Sequence, residues 1–492
     1  MFVGGTALLW TIQSHFAWHT DDAYITYRYA QHIAAGDGFV YNPGERVLGT
    51  TTPLYTLLLA GCARAGADIP TASMIINVVA GALTLMLVFV WLARSTERLI
   101  VGFTGVAILL SFEQFVQFSI SGMETSLYVL LILATFLLYD TQRLVLCAVL
   151  AGLCVLVRLD GAAVGAALVL HYVCANRKPP PLRLWIGYAI VTLPWFVFAW
   201  WYFGDFRPQS MLAKHHHMLE SSRYWMLEFL ARPSNAAMWP LFFLGGAAAL
   251  REHPKCGGLA AIGLWGVLYA TAFTVYRIDL YLWYLTPLTV CIAVLTAFGL
   301  GMAAIALERK PLSGAHRVGT LALIVIALAP VLAPRWNRVR DVLRGAIHWA
   351  RTLEQSRADA AAYVESHGTP NDVIATGAIG IVGWQTQAFI YDVLGLVTRN
   401  AVGRPLDEIL RESNARWYIS ETPATVASYA HVPGFRMVGR FARKASPVAF
   451  LVYERGAATR TSVTGQVDDP FTTDTGLCVE FAALSENAIE LR

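Results

Sequence analysis

The chain has 492 residues, 56% of them hydrophobic and only 14% charged. A soluble core cannot hide that much apolar surface, so the expected class is an α-helical polytopic membrane protein. The net charge of +4 lies in short loops, so it reports on topology and speaks against a nucleic-acid partner.

A membrane-crossing helix needs roughly 20 apolar residues. Such segments fall at 1–17, 72–93, 99–117, 122–139, 144–157, 161–175, 184–203, 236–250, 258–276, 281–304 and 318–334, eleven in all and several of them short. The first lacks the basic start and small-residue cleavage site of a signal peptide and reads as a span. Segment 53–66, at 14 residues, suits a re-entrant or interfacial helix. Holding it on the outer face places Arg94/Arg98, Arg143, Arg177/Lys178/Arg183, Arg251/Lys255 and Arg309/Lys310/Arg317 in cytoplasmic loops, as the positive-inside rule asks. The expectation is N-in and C-out, with 18–71, 204–235, a hairpin around 277–280 and the tail outside. Seven cysteines show no CxxC spacing, and six fall in or beside apolar segments as small hydrophobes.

The first outer loop carries the densest polar run. Thr20 or Asp21 can cap a helix reaching about Ala35, which Gly36 or Gly38 ends. Asn42-Pro43-Gly44 predicts a type II turn, and Thr51-Thr52-Pro53 starts the next helix. Asp21 and Asp22 have two readings of equal weight. They are first-turn carboxylates facing a helix dipole, or a general base and its supporting carboxylate. Arg28, two turns on with Tyr24 between, is an interfacial arginine snorkelling to headgroups or a phosphate ligand.

Further along, Gly122-Met123-Glu124-Thr125 puts Glu124 at the outer start of a span. Arg158-Leu159-Asp160-Gly161 interrupts an apolar run, as a paired turn between two short spans or as a lipid-phosphate or sugar contact. Loop 204–235 holds Arg207 and Lys214, cations suited to a phosphate. His215-His216-His217 are consecutive and converge poorly on one metal, so they read as solvated loop residues. Arg277 and Tyr281-Trp283-Tyr284 border another span, with an aromatic belt as the plain explanation of the rings and sugar stacking as the alternative.

From about 336 the composition changes to a small α/β domain extending to 456, followed by a polar tail, 457–492. Segment 340–366 is helical by its periodicity, strands are expected at 372–377, 388–392, 416–420 and 447–453, and a helix near 405–413. Ala375-Thr376-Gly377-Ala378-Ile379-Gly380 looks like a nucleotide loop but lacks GxGxxG spacing, and close backbone packing explains it better. Asp392 faces a ligand or a turn.

Asp21-Asp22-Ala23-Tyr24-Ile25-x-x-Arg28-Tyr29-Ala30, then Gly36-x-Gly38-Phe39-Val40-x-Asn42-Pro43-Gly44-Glu45-Arg46-Val47 and Thr51-x-Pro53-Leu54, together resemble the first-loop signature of the GT-C superfamily of integral-membrane glycosyltransferases. The branch most similar is that of the mycobacterial terminal arabinofuranosyltransferases. Residues 122–125 and 158–161 look like its secondary motifs, 207–214 is similar to its Pro-Asn-x-x-x-x-Lys loop with Gln209 in the Asn position, and 376–396 to its outer domain. The resemblance implies a GT-C-like membrane domain over 1–335 and transfer of a sugar from a polyprenyl-phosphate donor to an acceptor hydroxyl of a cell-envelope glycan, by inverting displacement at the outer face of a bacterial cytoplasmic membrane. It implies Asp21 as base, with Asp22 as support or as ligand of a divalent cation (Mg, Mn or Ca) where one is used, in an order left open. Arg28, Arg158, Arg207 and Lys214 then fall to the donor phosphate, and Tyr24, Glu124, Asp160, Arg277 and Trp283 to the substrate. The expected partners are the lipid-linked donor, a glycan or lipid acceptor and membrane lipid. Alternatives are glycosyl or aminosugar transfer to lipid or protein, and a lipid-linked sugar flippase. A flippase predicts inverted repeats, which the sequence does not show.

Overall fold

The computed structural model describes residues 2–16, 19–218, 225–252, 256–276, 281–308, 333, 335–423, 432–443, 446 and 448–456. Apolar helices run Phe2–Phe16, Ile69–Thr96, Leu99–Leu110, Thr125–Asp140, Leu144–Val157, Ala162–Asn176, Leu182–Phe203, Trp239–Arg251, Gly257–Val275 and Leu282–Glu308. Among the described residues, five segments are long and apolar enough to cross a bilayer, namely Ile69–Thr96, Leu159–Asn176, Leu182–Phe203, Gly257–Val275 and Leu282–Glu308. The expected span 318–334 lies almost wholly outside the described residues.

Two helices approach backbone to backbone where Gly245 of Trp239–Arg251 faces the Leu295 carbonyl and Gly299 of Leu282–Glu308 faces that of Leu241. A Cβ at either glycine would overlap the opposing carbonyl, which is how small residues set helix contacts in membranes. Ile190, Val197, Trp200 and Trp201 on Leu182–Phe203 remain exposed, an apolar face fit for lipid. The continuous helix expected over 99–117 is broken. Ser111 turns the chain after Leu110, and a short helix, Glu113–Phe118, carries the buried polar residues Glu113, Gln114 and Gln117.

The first outer loop folds as its local chemistry dictates. Its helix spans Asp21–Ala35 and ends at Gly36, whose φ of 95° is left-handed. The Glu45 amide donates to the Asn42 carbonyl with Gly44 at φ 88°, closing the type II turn. Pro53–Arg64 follows as a short helix with proline in its first turn.

The C-terminal unit opens with helix Ile347–His367. Strands β1 (Val373–Thr376), β2 (Phe389–Asp392), β3 (Trp417–Pro423), β4 (Phe435–Phe441) and β5 (Val448–Arg455) form one sheet in the order β2-β1-β3-β5-β4. β1 pairs in parallel with β2 and β3, while β5 runs antiparallel to β3 and β4. Helix Ile379–Thr386 crosses from β1 to β2 and lies on the first-loop helix. β4 was not expected from sequence. It is an edge strand with arginines at 436 and 440 and a register shift between Met437 and Gly439, which break its apolar alternation.

Candidate active site

The first-loop helix shows different faces to different partners. One face, formed by Asp21, Tyr24 and Arg28, docks the C-terminal unit. The Asp21 carboxylate accepts from the Ile381 amide at 2.8 Å and the Gly380 amide at 3.3 Å, so it caps the crossing helix Ile379–Thr386. The Asp21 backbone amide donates to Glu354 at 3.2 Å, and Arg357 lies 4.0 Å from the Asp21 carboxylate. Arg28 is fully buried and donates to the carbonyls of Tyr41 at 2.8 Å, Ala388 at 2.6 Å and Gly383, and to Asn42 Oδ1 at 3.3 Å. Both sequence readings of Arg28 are therefore corrected. It neither snorkels nor faces a phosphate, because its donors are spent inside the protein. Gly380 and Gly383 make this contact possible, since a Cβ at either would strike Asp21 or Tyr41. Gly380, the last residue of the stretch that resembles a nucleotide loop, serves close packing against the Asp21 backbone.

Asp22 is turned roughly 100° from Asp21 around the helix. It is half-buried, on the side of Thr26, whose hydroxyl lies 3.5 Å from that of Thr52; Thr52 is in turn 3.1 Å from Thr50. The adjoining Leu48 carbonyl accepts from the Gln209 amide at 2.7 Å. That bond brings helix Gln209–Met218, which carries Lys214, beside the hydroxyl-lined strip; the side chains of Lys214 and His215–His217 lie outside the described residues. Arg207 is exposed and forks onto Asp205 at 2.9 Å. With Leu48, Phe203, Asp205, Gln209 and Arg399 it lines a cavity of about 150 Å³.

The two secondary motifs meet in space. Arg158 donates to Glu124 at 2.8 Å and to Asp160 at 3.1 Å, and its guanidinium lies 4.6 Å from the Tyr284 ring centre. Tyr269 donates to Asp160 at 3.1 Å and to the Tyr284 carbonyl at 2.9 Å. The expected phosphate role of Arg158 is corrected: two carboxylates and an aromatic face occupy it. The turn reading of 158–161 holds, as a short 3₁₀ turn, Leu159–Gly161, between two helices. Glu124 is likewise buried against Arg158, while Asp160 keeps 18% of its side-chain surface.

A turn at Ser121–Gly122 joins this triad to the first loop. The Thr20 amide donates to the Ser121 carbonyl at 3.1 Å, and the Gly122 carbonyl accepts from Tyr27 at 3.1 Å and Tyr55 at 3.0 Å. Gly122 has φ 79°, and a Cβ there would meet the Tyr27 hydroxyl and the His19 ring. Tyr24 packs against Trp384 with ring centres 6.2 Å apart, and Trp283 against Phe118 at 6.0 Å, stacked on Tyr281 at 4.5 Å. Arg277 lies outside the described residues. Asp392 resolves to a turn, accepting from the Leu394 and Val397 amides at 2.8 and 2.9 Å.

Sequence reasoning missed Glu354 and Arg357. Arg357 grips both Glu354 oxygens at 2.9 and 2.8 Å and reaches Glu421 at 3.3 Å. Burial, opposed by Arg357 and reinforced by Asp21, pushes the Glu354 carboxyl up from 4.5 to about 8. A carboxyl raised on folding contributes stability that is full below its unfolded pKa and is lost as pH rises through the folded one. The thermal midpoint is therefore expected to fall from about pH 5 to about pH 9 through this group, and Glu354→Gln should flatten that slope. Parallel profiles for the two proteins would refute the assignment.

A sequence family described as a domain of unknown function, DUF8728, matches residues 346–464. No curated protein shows a significant match. Among solved structures, the chain is similar to ArnT from Cupriavidus metallidurans bound to undecaprenyl phosphate, at TM-score 0.60 and 14% identity over 93% of this chain and 98% of that one. The apo state of the same protein is matched at TM-score 0.56 and 13% identity, over 92% and 97%. The likeness establishes the fold, a GT-C-like helical membrane body with a small C-terminal α/β unit.

Proposed function

We propose that this chain is a membrane glycosyltransferase that moves a sugar from a polyprenyl-phosphate-linked donor to an acceptor hydroxyl at the outer face of a bacterial cytoplasmic membrane. The observation that carries this reading is the start of the first-loop helix, where half-buried Asp22 precedes by one turn Thr26, itself beside Thr52, while the Gln209 amide bonded to Leu48 brings the segment of Arg207 and Lys214 to the same loop. The fold supports it, being similar to that of a protein whose structure holds undecaprenyl phosphate. In the reaction, Asp22 takes the acceptor's hydroxyl proton as that oxygen attacks the anomeric carbon. The bond from that carbon to the phosphate oxygen breaks, configuration inverts, and polyprenyl phosphate leaves. Arg207 and Lys214, on the segment whose Gln209 amide bonds the Leu48 carbonyl, supply cations for the charge developing on the phosphate.

Among the described residues no three acidic, histidine or cysteine side chains converge on one point. Were Asp22 the ligand of a divalent ion instead of the base, that ion would rest on it and on donor oxygens, the mode in which Mg²⁺ binds through few carboxylates and substrate phosphate. The ion would neutralise phosphate charge. Gln209 and Leu48-Gly49-Thr50 depart from the arabinofuranosyltransferase pattern, so the proposal names the polyprenyl-phosphate carrier and no particular sugar.

Purified protein in proteoliposomes, given a short-chain polyprenyl-phosphate sugar and an envelope glycan, is expected to release polyprenyl phosphate in step with glycosylated product. Movement of intact donor between leaflets without transfer would instead mark a flippase.

A further inference from the structure

Away from the acidic strip, three arginines converge where the short Glu113–Phe118 helix meets the segment entering the C-terminal unit. Arg335 is almost wholly buried, 1% exposed, with its guanidinium 4.1 Å from the Phe112 ring centre. One of its terminal nitrogens donates to the Ser234 carbonyl at 3.0 Å and to Asn235 Oδ1. Arg338 donates to the Ser234 hydroxyl at 2.7 Å, so both side chains close on one residue. Arg232 stands 3.8 Å from Glu113 with 23% of its side chain exposed.

Among the described residues the charges do not balance. Glu113 is the buried carboxylate of this group, and it also accepts from Gln114 at 3.0 Å; Glu228, which acts on Arg232, is exposed. Among the described residues the Nε–H groups of Arg335 and Arg338 are buried without a hydrogen-bond partner. A buried cation with an unspent donor is costly unless something anionic completes it. Burial and the repulsion of Arg338 and Arg232 outweigh Glu113 and bring Arg335 down to about 10. A fixed fork of N–H donors suits phosphate oxygens better than a single point charge does. Trp336, exposed beside Arg335, has the amphipathic ring found at a membrane interface.

We propose that Arg232, Arg335 and Arg338, with Ser234, form a phosphate-binding site at the outer membrane interface, distinct from the Asp22 strip and filled by a phosphate-bearing anion. The ligand chemistry is an anionic phosphate group, supplied by a lipid headgroup or by inorganic phosphate. The site sits at the start of the segment leading through Phe118 to the Gly122 turn, so its occupant would brace the wall that carries Glu124. The proposal does not depend on the transfer reaction.

The test uses full-length protein in detergent, with native mass spectrometry and thermal shift as readouts. The probes are phosphatidic acid, neutral diacylglycerol of the same chains, and inorganic phosphate. Wild type should retain phosphatidic acid over diacylglycerol, and the double variant R232Q/R338Q should bind it at least tenfold more weakly. Arg335→Gln should show the same loss if it folds; the double variant, altering the more exposed pair, keeps the test independent of that. Stabilisation by inorganic phosphate that vanishes in R232Q/R338Q, without lipid retention, assigns free phosphate and sustains the site. Equal binding of phosphatidic acid and diacylglycerol with no phosphate shift overturns it, as does phosphate-dependent binding unchanged in the double variant.

Discussion

Asp22→Asn is expected to lower the turnover of sugar transfer by about 10²- to 10⁴-fold, the range over which a positioned general base contributes. Binding of the lipid-linked donor should persist, because the amide is isosteric and removes only the proton acceptor. Asp21→Asn should behave differently. Its two oxygens hold the Ile381 and Gly380 amides, and an amide side chain keeps one acceptor while turning an NH₂ towards the other donor. The expected loss is about 1–3 kcal/mol of docking stability, the cost of a buried donor left unpaired, with a moderate fall in activity. Transfer assays on both variants, paired with the thermal midpoint and proteolysis between 367 and 379, separate the roles. Full transfer by Asp22→Asn, beside a dead but stably docked Asp21→Asn, would reverse the assignment.

The sequence marked this helix by its polar density, and hydropathy located most of the apolar helices, though not the break at Ser111 within 99–117. What local pattern could not divide was the polar run itself. Adjacent carboxylates look alike in a string, yet on a helix they point to different partners. Arg28 reads as an interfacial cation because its acceptors, the Gly383 and Ala388 carbonyls, lie in another unit of the fold. Glu354 and Arg357 carried no local signal, being two charges in an ordinary amphipathic helix; only the tertiary contact with Asp21 gives them meaning. The motifs at 122–125 and 158–161 were visible separately, and their meeting as the Glu124–Arg158–Asp160 triad followed from packing.

Arg28→Leu is expected to be the most destabilising substitution in the first loop. It strips hydrogen bonds from the Tyr41, Gly383 and Ala388 carbonyls and from Asn42 Oδ1, all buried where water cannot replace them. Each buried acceptor left unpaired costs about 1–3 kcal/mol, a large share of the 5–15 kcal/mol that holds a typical domain together. Asn42 would still join the units through Ile390, donating to its carbonyl at 2.9 Å and accepting from its amide at 3.1 Å, and Tyr41 through the Ile379 carbonyl at 2.5 Å. The C-terminal unit should therefore loosen and become protease-sensitive before the membrane body melts. Arg28→Lys keeps the charge but loses the planar fork that reaches acceptors on two sides, so it should recover only part of the docking. The comparison also decides between a docking arginine and a phosphate ligand. If Arg28→Lys raised the donor KM while the thermal midpoint and protease resistance stayed at wild-type values, the guanidinium would belong to the substrate. The four internal acceptors around it predict the opposite order, with docking lost first and donor affinity following.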